Sequence, residues 1–399
     1  MTAALARHPP PPEGFLTVLA AGKAARPMTT AFLSLQGGRV RETIVAGGAH
    51  PIPDERSVDA GRGALELAAA ARDRGECLVV LLSGGASAML ALPAEGVTLD
   101  DKAAVTKLLL ASGLPIAGMN AIRKHLSAIK GGQLGAAAGR SITYAISDVH
   151  APVENDPAVI GSGPTVADPS TFADADAALR EVRLLETVPA AIRQRLRRGM
   201  RGEAEETIKP GDPRLSRAEW ILAGSRRDAM AGAAAEAARL GYRVERIEAP
   251  TLGEARDAAR RFVESVASAF RRKDSARPIC VIASGETTVT LEAGSTGRGG
   301  RNQEFALAAA PLLPDLGTAA LASVGTDGID GPTDAGGAFA DATTIDRARA
   351  MGLDASVALQ AHDSYPFFQR LGDAIATGPT GTNVGDLQIL LMRTDVGAT

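Results

Sequence analysis

The chain is poor in the residues on which several common chemistries depend. Aromatics make up 3% of its 399 residues, so its cores must be assembled from Ala, Leu, Val and Ile. Its two cysteines, Cys77 and Cys280, each lie in an apolar run (CLVVLL and PICVIA). That excludes a disulfide framework and reads as two reduced core thiols in a cytosolic protein. Five histidines without any paired Cys/His spacing exclude a structural zinc site. The formal net charge of −3 lacks the basic excess of a nucleic-acid binder. No run of eighteen apolar residues and no charged-then-apolar leader is found, so neither a membrane span nor a signal peptide is expected. No G-x-G-x-x-G fingerprint follows any strand-like segment, which weighs against a nicotinamide dinucleotide site.

At this length two domains are expected. Strand and helix patterns alternate, predicting an α/β fold: a Rossmann-like doubly wound sheet over residues 1–212 and a second α/β domain with a mixed sheet over 213–399. Strands are predicted over 15–20, 77–82 and 142–147, and helices over 57–74, 99–112, 119–138 and 173–198. The leading MTAALARHPPPPEG ends in a proline run and reads as a loose arm. Residues 199–216 are polar, contain Gly and Pro, and make the best linker candidate. A second βαβ series is expected from Ala218 onward. The basic residues Arg256, Arg260, Arg261, Arg271 and Arg272 read as a solvated helix face.

The richest stretch is SGETTVTLEAGSTGRGGRNQEFAL, Ser284 to Leu307, followed by VGTDGIDGPTDAGG, Val324 to Gly337. The first reads as strand, Gly-rich loop and helix, with Arg301 and Asn302 at the helix start. A helix N-terminus offers unpaired N–H groups and a positive dipole end, so it seats anions. An arginine there forks onto a carboxylate or phosphoryl group, or else makes a structural ion pair with Glu304 or another acid. Asp327 follows an apolar strand and precedes Gly328; it serves an Asx turn, a general base or, with Asp330, a magnesium chelate. The spacing of Asp327, Asp330 and Asp334 is not that of an EF-hand loop. Ser83-Gly84-Gly85 follows the strand CLVVLL at the carboxyl end where α/β sheets hold ligands, unless it is only a tight turn. Lys23, in GKAA, opens a helix where a cation is unfavourable, which suggests a paired anion such as phosphate; its spacing is not that of a Walker A loop. A basic anion cradle and an acidic loop together suit phosphoryl transfer with ATP and Mg2+.

These motifs resemble those of the glycerate 2-kinase family, whose bacterial members often carry a hydroxypyruvate reductase name and whose C-terminal domain is of the MOFRL type. The resemblance is carried in order by GKAA (22–25), GAHPIPDE (48–55), SGGASAML (83–90), MNAIRKHLSAIKGG (119–132), SGPTVADPST (162–171), SGETTVT (284–290), GRGGRNQEFAL (297–307), GTDGIDGPTDAGG (325–337) and TGTNVGDLQILL (380–391). It implies ATP-dependent phosphorylation of D-glycerate at its 2-hydroxyl with magnesium, giving 2-phosphoglycerate and ADP, in two α/β domains enclosing a cleft. It places the family's cleft lysine on Lys23, its arginine on Arg301 and its aspartate on Asp327. By the same reading the loops Ser83-Gly84-Gly85 and Ser284-Gly285-Glu286, with Asn302, contact the nucleotide or glycerate. The loop bearing Asp148, Asn155 and Asp156 is longer than the family's compact form. The rival readings are an NAD(P)H-dependent hydroxypyruvate reductase and a non-catalytic binder of small acids; a homodimer is left open.

Overall fold

A computed structural model describes residues 1–270, 277–291 and 294–393. Arg271 and Arg272 lie outside the described residues. The chain forms two compact units, Met1–Gly224 and Ser225–Thr399.

In the first unit, strands β1 (Leu16–Ala21), β2 (Val40–Val45), β3 (Cys77–Leu82), β4 (Ser141–Ile146) and β5 (Ala218–Gly224) make one sheet in the order β2-β1-β3-β4-β5. Every pairing in it is parallel. β1 and β3 are apolar and buried along their whole length, as central strands covered on both faces must be. Their side chains alternate between two cores. Leu19, Ala21, Val80 and Leu82 pack against the helix Glu55–Asp73, while Leu16, Val18, Val79 and Leu81 pack against Ala25–Gln36. This is the doubly wound architecture that the sequence pattern predicts. Helix starts are fixed by reciprocal caps, Asp54 with Ser57, Thr98 with Asp101 and Thr171 with Asp174.

Three expectations are corrected here. Residues 2–7 form a helix whose Ala4 and Leu5 are buried in the second core, and the Tyr144 hydroxyl donates to the His8 carbonyl at 2.6 Å. Apolar contact therefore anchors what reads as a loose arm. The predicted helices 119–138 and 173–198 are each broken, into Ile116–His125 plus Gln133–Ala138 and Phe172–Glu181 plus Ala190–Met200. Gly131 and Gly132, at φ 58° and 83°, interrupt the first, and Pro189 restarts the chain as the N-cap of the last. Finally, the strand from Ala218 pairs with β4 and completes the first sheet instead of opening a second series. The division between the compact units falls after Gly224.

The second unit holds β6 (Arg243–Arg246), β7 (Thr251–Glu254), β8 (Ile279–Thr288), β9 (Thr318–Gly325), β10 (Gly337–Asp341), β11 (Ala374–Ile375) and β12 (Asp386–Arg393). Their order is β11-β10-β9-β12-β8-β6, with β7 also on β8. The sheet is mixed, as expected: β12 runs antiparallel to both neighbours, whereas β6 and β7 run parallel to β8. One face carries Leu390, Met392, Val281 and Ala283 into a core with the helices Ala255–Phe270 and Arg301–Ala309. The other carries Leu387, Ile389, Cys280 and Ile282 against Arg226–Arg239. By that alternation Asp386 and Gln388 share the face of Leu390, the face covered by the helix Arg301–Ala309. No described helix is long and apolar enough to cross a membrane. Burial pushes both cysteine thiols up to about 11, as inert core residues require.

Candidate active site

In the first unit the sheet order reverses between β1 and β3, and the carboxyl ends of those strands make the switch point where open α/β sheets hold ligands. The two turns are locked together. Ser83 N–H donates to the Ala21 carbonyl at 3.1 Å, and Lys23 N–H to the Gly84 carbonyl at 2.9 Å. The Ser83 hydroxyl, fully buried, accepts from Ala24 N–H at 2.9 Å. Its oxygen is therefore structural, and the turn around Gly22 (φ 111°) leaves no room for a side chain against it. Gly84 and Gly85 are different. Their amides donate to no acceptor among the described residues, and Gly85 (φ 85°) opens the short helix Ala86–Met89.

Around these glycines stand Asp148, His50 and Lys23. A Cβ at Gly84 would collide with the Asp148 carboxylate. One at Gly85 would lie 3.3 Å from His50 Cδ2 and 3.6 Å from Lys23 Cγ. Partial burial of the His50 imidazole, then the charges of Lys23 and Arg123, lower its pKa. The sequence reading singled out Lys23 and the glycines but missed His50 and Arg123. Their one signal was membership in dense motifs, GAHP and NAIRKH, without a spacing that declares chemistry.

In the second unit Arg301 opens the helix Arg301–Ala309, and its guanidinium grips Asp386 with two prongs, Nε to Oδ2 at 2.7 Å and Nη2 to Oδ1 at 2.9 Å. Glu286 approaches Nη1 at 3.2 Å. Burial works against the charged guanidinium, but Asp386, Glu286 and Asp330 outweigh it and raise its pKa. Glu304, the other partner considered for Arg301, is engaged elsewhere. It takes Arg256 Nε at 2.6 Å and contacts His362 Nδ1 at 3.0 Å, and Arg256 also reaches the Leu359 carbonyl. Arg256 is thus part of an interior ion pair and not of a solvated face.

Six further residues singled out in the sequence have the following partners and places. Asp330 caps the helix, accepting from Asn302 N–H at 3.0 Å and Gln303 N–H at 2.8 Å. Burial pushes its carboxyl up to about 6, against the pull of those two amides. Asn302 is buried and committed, its amide group shared between Asp330 at 3.3 Å and the Ser323 hydroxyl at 2.7 Å. Ser284, Gly285 and Glu286 lie inside β8 and not in a loop, with Gly285 paired to Asp386 on one side and Thr251 on the other. A Cβ at Gly285 would strike the Thr251 backbone, which is the reason for glycine there. Asp327, half-buried, accepts from Ile329 N–H at 3.1 Å in an Asx turn.

Among the described residues no group of three His, Cys, Asp or Glu side chains is arranged to hold a metal ion. Buried polar atoms without partners among the described residues include Gln303 Oε1, the Ser364 hydroxyl and both amide atoms of Gln388. Native interiors tolerate few of these.

The glycerate 2-kinase of Pyrococcus horikoshii is 38% identical over 97% of this chain and 89% of its own length. This chain belongs to the glycerate 2-kinase family. Two family models divide it, one described as a domain of unknown function (DUF4147) over residues 5–197 and one as the MOFRL family over 279–386. The crystal structure of a glycerate kinase from Thermotoga maritima matches with a TM-score of 0.84 at 33% identity, covering 98% of this chain and 94% of that one. An Agrobacterium vitis relative, 38% identical over 95% of this chain and 100% of its own length, carries a provisional hydroxypyruvate reductase name. In glycerate 2-kinase terms, Lys23 sits at the sheet switch point of the DUF4147 part and Arg301 opens the helix inside the MOFRL part.

Proposed function

We propose that the protein transfers the γ-phosphoryl group of ATP to the 2-hydroxyl of D-glycerate, giving 2-phosphoglycerate and ADP. The observation that carries this reading is the seat at the β1/β3 switch point. Two unspent glycine amides, Lys23 and His50 surround one small volume there, in a chain of glycerate kinase descent. Backbone amides and a lysine are what phosphate oxygens require.

Phosphoryl transfer asks chiefly for positioning and charge stabilisation. In this reading Lys23 and the Gly84 and Gly85 amides neutralise phosphate oxygens. Arg301, held rigid by Asp386, keeps two of its five N–H groups for the substrate carboxylate or the transferring group. Asp327 accepts the 2-hydroxyl proton as that oxygen bonds to phosphorus and ADP departs. The pair Asp327 and Asp330 does not suit a magnesium chelate, because Asp330 already spends both oxygens on helix amides. Magnesium keeps several waters and is often bound through substrate phosphates, so in this reading it enters with the nucleotide. The test is an omission series: ADP should form only when ATP, magnesium and D-glycerate are all present. Nicotinamide oxidation with hydroxypyruvate in its place would refute the reading.

A further inference from the structure

Behind the switch point lies a group of side chains that the reaction as set out does not use. Asn120 and Arg123 stand three residues apart on the helix Ile116–His125, so they share a face. Asn120 is 3% exposed; its Oδ1 accepts from the Ser162 hydroxyl at 3.0 Å, and that oxygen lies 2.8 Å from Ser87 Oγ. Its Nδ2 is sealed from water and has no partner. A buried donor left unmade costs about 1–3 kcal/mol. The bend that fixes this amide holds Ser162 in the left-handed region at φ 61°, between Gly161 and Gly163, both at φ 60°. For Ser162 that conformation costs about 1–3 kcal/mol. The same bend turns the Gly161 carbonyl onto Lys130 Nζ at 3.2 Å.

The charges acting on Lys130 are those of Lys102 and Arg123, while a buried acid close by, Asp168, is taken by Lys124 Nζ at 3.2 Å. Lys130 is 2% exposed and, among the described residues, donates only to the Leu90 and Gly161 carbonyls, both at 3.2 Å. Arg123, half-buried, makes no hydrogen bond or ion pair with any described residue. After burial, its charge helps to lower the pKa values of His50, Lys102 and Lys130. The carbonyl end of its helix offsets part of the cost of that charge, but it does nothing for the orphaned Asn120 amide. Burial, with the charges of Lys102 and Arg123, lowers the Lys130 pKa well below its ordinary value, so Arg123 is the charge here that, among the described residues, lacks a counter-ion. An anionic ligand would relieve both the amide and the arginine.

We propose that Arg123 and Asn120, backed by Ser87 and Lys130, form an oxyanion seat that binds a small carboxylate or a phosphate. The seat rests on this geometry; only the choice of oxyanion rests on the kinase reading, in which D-glycerate supplies the carboxylate and ATP the phosphate.

The test is calorimetric titration of the intact protein with D-glycerate and, separately, with inorganic phosphate, for wild type and for Arg123→Gln, Arg123→Lys and Asn120→Asp. Losing a charge-assisted bond should weaken one ligand by about ten- to a hundredfold. A loss confined to D-glycerate assigns the seat to the carboxylate, and one confined to phosphate assigns it to phosphate. Arg123→Lys keeps the charge without the fork and should fall between. If Arg123→Gln fails to fold, Asn120→Asp, which faces the ligand with a negative charge, gives the same reading. Wild type binding neither ligand, or variants binding both unchanged, overturns the seat. Turnover assayed in parallel separates the two claims: wild type that binds D-glycerate and forms no ADP defeats the kinase reading alone. Variants with full affinity and full turnover defeat the seat alone.

Discussion

Arg301 and Asp386 form a two-pronged ion pair in which the aspartate is fully buried and the arginine keeps one edge exposed. The aspartate begins β12 and the arginine begins the helix lying over it, so the pair ties helix start to strand start. Removing one member of such a pair leaves an uncompensated charge and costs about 3–5 kcal/mol when both are interior. Arg301 is partly solvated, so Asp386→Ala should cost about 3 kcal/mol, read as a lowered melting temperature. It should also cut turnover at least a hundredfold, because Arg301 loses its aim. An unchanged turnover in a destabilised protein would confine the pair to architecture.

Arg301→Lys separates charge from geometry. Lysine preserves the positive charge but makes no fork, so turnover should drop about 10²–10³-fold. Turnover close to that of wild type would remove Arg301 from the chemistry.

Asp327 is where a turn former and a base part company. Asp327→Asn keeps an oxygen to accept from Ile329 N–H, so the melting temperature should hold. Loss of the base should lower turnover about 10²–10⁴-fold, without rescue by more glycerate. Steady-state kinetics beside a thermal melt decide between them, and undiminished turnover removes the assignment.

Lys102 offers a test of the buried cations through pH. Burial first, then Arg123 and Arg195, lower its pKa to about 7 from 10.5. The unfolded chain therefore binds a proton that the folded chain does not, between those two values. Its contribution to stability is fully present above 10.5, falls as pH drops and is lost below about 7. Lys102→Met removes that dependence. The Leu126 carbonyl keeps its bond from Ala94 N–H, so no polar group is orphaned. The variant should melt higher than wild type at pH 6–7, with the gap closing toward pH 10. A constant gap across that range would show that burial does not depress this lysine.

The sheets were legible because the evidence for them is local. Runs such as CLVVLL and LQILLMR announce buried strands, and Ser, Thr and Asp caps mark helix starts. The edge strand β2, largely exposed, carries no such run and was not foreseen. β5 was foreseen but assigned to the wrong sheet, since its partner lies more than seventy residues away. Among the proposed site residues, Lys23, the paired glycines and Arg301 stand out in the sequence because glycine density and cations at helix starts have few cheap explanations. Asp386 does not, although an acid beginning an apolar strand after Gly385 is a signal that could have been weighed. For Asp330 and Asn302 the sequence is ambiguous, because a cap and a ligand contact use the same polar atoms. Only coordinates show that these atoms are already spent.

The most direct measurement is phosphorus NMR of the product formed from ATP, magnesium and D-glycerate. Phosphoryl transfer to the 2-hydroxyl predicts the resonance of 2-phosphoglycerate, appearing in step with ADP and absent from the Arg301→Lys reaction. A 3-phosphoglycerate resonance would contradict the regiochemistry. No phosphoglycerate at all, with ATP intact, would contradict the kinase.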